Sequence, residues 1–203
     1  MTAPLALVTG GVKRVGAVIA ARLAESGYAL ALHGNSDTAP EDRLAATMRE
    51  SGSDWCGFQQ DFTLDGAARD LMYQRRPTGS ERACVVHILD QRIRNPNRDQ
   101  LSYTLSKQAL TASVRSMAVA CADRLRVNGV APGLTLTAGE YDAGQLANIK
   151  AMMPLDRLPD PADIADAVLY LARAEAVTGQ IVEVDGGANL RAFDRDFVHL
   201  GKD

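Results

Sequence analysis

The sequence predicts an α/β fold built on parallel strands, and three observations carry the prediction. Short apolar runs recur between stretches with helical spacing. The first run ends in the glycine turn Thr9-Gly10-Gly11, and a sharp helix start stands at Asp160-Pro161 before the last run. Strands that alternate with helices pair in parallel beneath helices on both faces, and such sheets bind ligands at the carboxyl ends of their strands.

Leu5-Ala6-Leu7-Val8 is the first strand, and its glycine turn leads through Val12-Lys13-Arg14-Val15-Gly16 into a helical pattern reaching Leu23. Such a turn lets backbone N–H groups and a helix N-terminus approach a phosphate. Tyr28 to Leu32 forms the second strand, with the exit loop His33-Gly34-Asn35-Ser36, and a helix follows from about Pro40 to Ser51. Trp55 to Gln60 reads as the third strand, ending at Asp61, and Thr63 to about Arg75 as a helix before a polar turn. Ala83 to Leu89 is a buried-type strand ending at Asp90, after which a polar loop enters a helix from about Leu101 to Ala122. Arg126 to Ala131 is a strand stopped by Pro132-Gly133. Asp160 as N-cap, Pro161 at the first helical position and Asp163 in the first turn start a helix that runs to about Arg173. Gln180 to Val184 is the final strand, before Asp185-Gly186-Gly187. No linker, repeat or low-complexity segment interrupts this order, so residues 1–203 read as one domain.

With 46% hydrophobic residues the chain can fill a sizeable core, and its formal charge of -3 is close to neutral. It has no basic stripe for nucleic acid and no apolar run near the ~20 residues of a membrane span. The start, Met1-Thr2-Ala3-Pro4, lacks the basic segment of a signal peptide. Cys56, Cys84 and Cys121 are odd in number and far apart, which argues against a disulfide framework or a zinc site. The expectation is a reduced, cytoplasmic protein whose cysteines are small core residues and which holds no metal.

Tyr103 and Lys107 are four residues apart on the same predicted helix, so both project from one face. An adjacent ammonium favours the phenolate, so Lys107 is expected to bring Tyr103 toward working pH as a general acid or base. The plain alternative is an exposed helix pair.

Five segments taken together resemble the short-chain dehydrogenase/reductase family. They are Thr9-Gly10-x-x-x-Arg14-x-Gly16, Asp61 after the third strand, Tyr103-x-x-x-Lys107, Asn128-Gly129-Val130-Ala131-Pro132-Gly133 and Val184-Asp185-Gly186-Gly187, in the family's order. The resemblance implies a Rossmann-like doubly wound parallel sheet that binds NAD(P), with a small-molecule substrate and a possible homo-oligomer. Arg14 stands where the family commonly has glycine, and Asp90 stands thirteen residues before Tyr103 where it commonly has serine. Both departures are similar to the pteridine reductases and the related dihydromonapterin or dihydrofolate reductases. On that likeness Asp90, Tyr103 and Lys107 are the catalytic residues. Gly10, Lys13, Arg14, Val15, Asn35, Ser36, Asp61, Pro132, Gly133 and Thr135 hold the cofactor. Asp90 and Asp61 alternatively cap the segments after them, and Thr135 alternatively steadies a turn. The second strand ends without the acid that binds NAD ribose hydroxyls, and Lys13 and Arg14 lie in the glycine turn, so NADPH is expected.

Between Asp61 and Asp90 the family has room for a further strand ending in an Asn-Asn-Ala-Gly-like turn and a long helix, and this chain has no Asn-Asn-Ala sequence. One strand-helix unit of roughly 30 residues is expected to be absent, beside the position where cofactor binds. The leading reading is an NADPH-dependent reductase of a pterin, dihydropterin or related C=N or C=O substrate. The alternative is a nucleotide-binding relative whose catalysis the deletion has impaired. In residues 137–155, where the family places its substrate loop, Met152 and Met153 read as helix core in preference to pocket lining.

Overall fold

A computed structural model describes residues 3–67, 82–137 and 141–202. The chain divides into two compact units, one within Met1–Ser80 and one within Glu81–Asp203.

In the first unit, β1 (Leu5–Thr9), β2 (Ala29–Gly34) and β3 (Trp55–Gln59) form a parallel sheet in the order β1-β2-β3. Leu5 pairs with Ala29, and Leu30 with Trp55. β2 is central, and Leu30, Ala31, Leu32 and His33 along it are all buried, as expected for a strand covered on both faces. α1 (Arg14–Glu25) buries Ala17, Ile19, Ala20, Leu23 and Ala24, and α2 (Asp42–Ser51) buries Leu44 and Met48 and packs on α1. The helix expected from Thr63 onward lies largely outside the described residues.

The second unit contains β4 (Ala83–Ile88), α3 (Leu101–Ala120), β5 (Leu125–Pro132), α4 (Ala143–Met152), α5 (Pro161–Arg173) and β6 (Ile181–Val184). Its sheet is parallel, in the order β4-β5-β6, with Ala83 paired to Leu125 and Gly129 to Ile181. Among the described residues, six strands in two three-stranded parallel sheets, flanked by helices, give the α/β class expected from the alternation.

The central strand β5 carries two polar side chains into the interior, and each has a structural task. Buried Arg126 donates from Nη1 to the carbonyls of Leu171 at 2.7 Å and Ala174 at 2.9 Å, and from Nη2 to Ala172 at 2.6 Å. These carbonyls end α5, where a helix leaves them without intrahelical partners and where its dipole favours a cation. Asn128, fully buried, donates to Val177 O at 2.9 Å and accepts from Gln180 N at 3.0 Å, which fixes the approach to β6. The start of α5 is closed by the expected cap: Asp160 accepts from Ala162 N, and Asp163 reaches back to Asp160 N in a capping box.

Two features differ from expectation. α4 was legible only as a substrate-loop region. Met153, just past the end of α4, lies 1% exposed in a core cluster with Ile149, Ala188 and Phe197, and Met152 packs against it, so both methionines belong to the core, in agreement with the reading preferred from the sequence. The three cysteines are free but only partly buried. The Cys84 thiol donates to Leu171 O at 3.4 Å, and burial pushes it up from its ordinary value.

Candidate active site

The strand-to-helix connection between β4 and α3 brings Asp90, Tyr103 and Lys107 together. Asp90 follows β4, and its Oδ1 accepts from Arg92 N at 2.8 Å, which starts a single 3-10 turn over Gln91–Ile93. Its Oδ2 accepts from the Tyr103 hydroxyl at 3.0 Å. The carboxylate therefore caps the following turn with one oxygen and engages the phenol with the other.

Lys107 lies one turn along α3 from Tyr103. Its Nζ donates to Ile88 O, the last carbonyl of β4, at 2.8 Å and stands 5.7 Å from the Tyr103 ring centroid. Burial lowers the Lys107 pKa, against a smaller upward pull from Asp90.

The expected depression of the Tyr103 pKa is reversed. Burial, then the charge and hydrogen bond of Asp90, push the phenol up to about 12. A carboxylate that accepts from the hydroxyl favours its neutral form, and at this distance it outweighs an ammonium turned toward a carbonyl. Tyr103 is thereby kept protonated across the physiological range, the state a proton donor needs.

Reading the sequence missed the cation in this cluster. The Arg92 guanidinium lies 5.4 Å over the Tyr103 ring centroid, 3.9 Å from Asp90 Oδ1, within 3.0 Å of Gln100 Oε1 and 2.5 Å from Asp196 Oδ2. Arg92 and Asp196 are 104 residues apart, and no local spacing announces the pair.

The glycine turn lies in the other unit and is shaped mainly by backbone. Gly10 N donates to His33 Nδ1 at 3.2 Å and Gly11 N to His33 O at 3.0 Å, while His33 Nε2 faces Gln60 O at 2.8 Å. The imidazole, stacked on Phe62 at 4.2 Å, ties the ends of β2 and β3 to the turn. Gly10 has φ +65°, which favours glycine, and a Cβ on Gly16 would stand 2.0 Å from Gly10 O. Arg14 also holds a left-handed φ, 57°, and its N–H donates to Glu41 Oε2 at 3.2 Å.

Lys13, Asn35 and Ser36 are exposed around this turn and Val15 is half-buried. Asp37 accepts from Ala39 N at 2.9 Å as a turn residue. Asp61 Oδ1 accepts from Thr63 N at 2.9 Å and Thr63 Oγ1 at 2.7 Å, and these bonds lower its pKa. Asp61 thus caps the turn that follows it.

After β5, Gly133 fits against Asp185, whose Cα would lie 2.8 Å from an added Cβ. Asp185 holds the turn after β6 by accepting from Gly187 N at 2.8 Å and Asn189 N at 2.7 Å, which gives the Asp-Gly-Gly segment its local reason. The Thr135 hydroxyl donates to Gly133 O at 2.9 Å, the turn-steadying alternative. Thr135 also lines an open cleft of about 320 Å³ with Thr137, Leu146, Lys150, Arg157 and Leu158. Among the described residues no cluster of His, Cys, Asp and Glu is arranged to hold a metal ion, and no helix is long and apolar enough to cross a membrane.

The family model described as Enoyl-(Acyl carrier protein) reductase matches residues 78–189. Carbonyl reductase family member 4 of Danio rerio is 41% identical over 95 residues, which are 46% of this chain and 40% of that protein. Pteridine reductase 1 of Leishmania tarentolae is 24% identical over 281 aligned positions, covering 93% of this chain and 97% of that protein. The chain spans less than two thirds of the length of the first curated relatives it matches. Among solved structures, FolM alternative dihydrofolate reductase 1 of Brucella canis, complexed with NADP, superposes with a TM-score of 0.80 at 27% identity, over 97% of this chain and 98% of that one.

Proposed function

We propose that this chain, which belongs to the short-chain dehydrogenase/reductase family, is an NADPH-dependent reductase of a pterin, a dihydropterin or a related small molecule with a C=N or C=O group. The observation that carries the reading is the Tyr103 hydroxyl held by Asp90 with Lys107 one helical turn away. Similarity to a pteridine reductase and to an alternative dihydrofolate reductase bound to NADP supports the substrate class and the cofactor.

The nucleotide turn fits a phosphate-bearing cofactor. α1 starts without a side-chain cap or an acid in its first turn, no atom lies within 4 Å of the Cβ position on Gly10, and Lys13 and Arg14 are at hand. A helix N-terminus so arranged favours an anion. Gly10, Lys13, Arg14, Val15, Asn35, Ser36 and Asp61 in the first unit, and Pro132, Gly133 and Thr135 in the second, are the residues assigned to NADPH. Bound there, the cofactor supplies the hydride, and the protein supplies position and field. Tyr103 donates its hydroxyl proton to the substrate nitrogen or oxygen. Asp90 orients that hydroxyl and keeps it protonated beforehand, and Lys107 stabilises the phenolate left after transfer.

A second reading, nucleotide binding without turnover, rests on length. The alignment with the Leishmania protein runs to 281 positions against 203 residues here, so that relative has residues where this chain has none. We assign the shortfall to the strand-helix unit expected after β3. NADPH oxidation with dihydrobiopterin or dihydrofolate separates the readings: turnover that falls by about a hundredfold or more in Tyr103→Phe supports the reductase. NADPH binding with no turnover by the native chain supports the second.

A further inference from the structure

We infer that Arg92 is a positioning residue which, held by Asp196, fixes Asp90 and the Tyr103 ring in their working geometry, so that the chain's C-terminal segment is part of the proton-donor apparatus. This inference rests on the assignment of Tyr103 as proton donor in the proposed function.

Every polar partner that the guanidinium meets belongs to the donor assembly or steadies it. Nη1 donates to Gln100 Oε1 at 3.0 Å. Gln100 is the residue from which α3 starts, and it holds a left-handed φ of 53°, a conformation that costs free energy in a residue with a side chain and persists only where its surroundings enforce it. The Arg92 backbone N–H donates to the capping Asp90 Oδ1 at 2.8 Å, while its side-chain Nε stands 3.9 Å from the same oxygen and the guanidinium covers the Tyr103 ring. One side chain thus touches the carboxylate, the phenol and the N-terminus of the helix that presents the phenol.

Asp196 is the anchor. Its side chain is 3% exposed and that of Arg92 15%, so the pair is shielded from solvent and removal of either charge leaves the other buried. The segment bearing Asp196 is fastened independently. Asp99 accepts from Arg195 Nε at 2.9 Å and from Asp196 N at 2.8 Å. Asn95 donates to Asn189 O at 2.7 Å. From the other side, buried Gln145 on α4 donates to Leu200 O at 2.7 Å, and Phe197 lies in the core cluster beneath α4. Asp196 therefore occupies a fixed point, and Arg92 conveys that point to Asp90 and Tyr103. Among the described residues, the charged groups facing the phenol are Asp90 from the end of β4, Arg92 from the 3-10 turn, Lys107 from α3 and Asp196 from the C-terminal segment.

The test titrates Tyr103 by its phenolate absorbance in the native chain, Asp196→Asn, Asp90→Asn, Arg92→Lys and Arg92→Gln, each read against its own Tyr103→Phe counterpart and checked for native unfolding behaviour. Asp90 and Asp196 both raise the phenol pKa and Arg92 lowers it. Asp196→Asn and Asp90→Asn are expected to move the transition below the native value of about 12. Arg92→Lys retains the charge and stays closer to native, while Arg92→Gln shows no Tyr103 phenolate at pH values where the native chain has begun to ionise. A transition that moves with Asp90→Asn but is unaltered by Asp196→Asn and Arg92→Gln overturns the inference. Turnover provides the second reading: Arg92→Gln lowers kcat by about a hundredfold, the cost of a small misplacement, with NADPH affinity preserved. A kcat equal to that of the native chain also overturns it. If the native chain has no turnover, the proposed function falls, and the titration still decides the role of Arg92.

Discussion

The two units hold their candidate site residues by different means. Around the glycine turn the fixed points are backbone groups: Gly10 and Gly11 donate to His33, the Cβ position on Gly16 is blocked by Gly10 O, and Lys13, Arg14, Asn35 and Ser36 extend outward. Around Tyr103 the fixed points are charged side chains, Asp90, Arg92, Lys107 and Asp196, meeting in a partly dry space. A site shaped by backbone tolerates exchanges of exposed side chains and resists an added methyl. A site shaped by charge does the reverse, because each group is poised against the others in a low dielectric where removal of one leaves its partner uncompensated.

The strongest attempt to break this contrast is Gly16→Ala. The new Cβ would have to displace backbone, so we expect a loss of about 3 kcal/mol or more in chemical unfolding of the first unit, at the large end for a point substitution. A loss under ~0.5 kcal/mol would show that the turn is not sterically set.

Arg126→Met asks the matching question of the second unit, since it removes the cation that closes α5 and leaves its carbonyls without that partner. A loss of about 2–3 kcal/mol is expected, again by denaturant titration. His33→Phe keeps a ring to stack on Phe62 but strands the Gly10 N–H, for a cost of about 1–2 kcal/mol.

Arg14→Gly sharpens the contrast in the opposite direction. It relieves a left-handed backbone and is expected to stabilise the first unit by up to ~1 kcal/mol, while NADPH affinity measured by fluorescence falls because a cation is lost.

The smallest effect is expected of Asp99→Asn, read as a difference in Tm from the native chain across pH. The Arg195 hydrogen bond and the Asp196 amide hold the Asp99 carboxyl at about 2, below its ordinary 3.8. A depressed folded value stabilises above the unfolded one, so the difference is constant above about pH 4 and disappears as pH falls through about 2. A difference that persists at lower pH would remove the charge from the explanation.

What the sequence disclosed follows from the range of the interactions involved. The four-residue spacing of Tyr103 and Lys107 places them on one face of α3 by helix geometry, and the Asp160-Pro161 start of α5 is fixed by bonds spanning three residues. Those were legible. α4 was not, because Ala143, Leu146, Ala147, Ile149, Ala151 and Met152 spread around its circumference and leave no single apolar stripe. Arg92 was hidden for another reason: its partner Asp196 is contributed by the far end of the chain, and an ion pair has no period. The sign of the Tyr103 shift depended on which charge the hydroxyl faces, and only the fold decides that Lys107 turns to Ile88 O and Asp90 to the phenol.

The strand registers also set an order of assembly. In the first sheet Leu5 meets Ala29 and Leu30 meets Trp55, so each partner emerges about two dozen residues later. In the second, Ala83 waits for Leu125 and Gly129 for Ile181, roughly twice as long. Closing a longer loop costs more entropy, although the increment per doubling is only about 0.6 kcal/mol. Synthesis at about 5–20 residues per second separates the two pairings by a delay of seconds. The described strands β1 to β3 around the glycine turn are complete before Tyr103 is made, whereas the Tyr103 cluster is incomplete until Asp196 has left the ribosome. The glycine turn thus acquires its shape earlier in synthesis than the charged cluster around Tyr103.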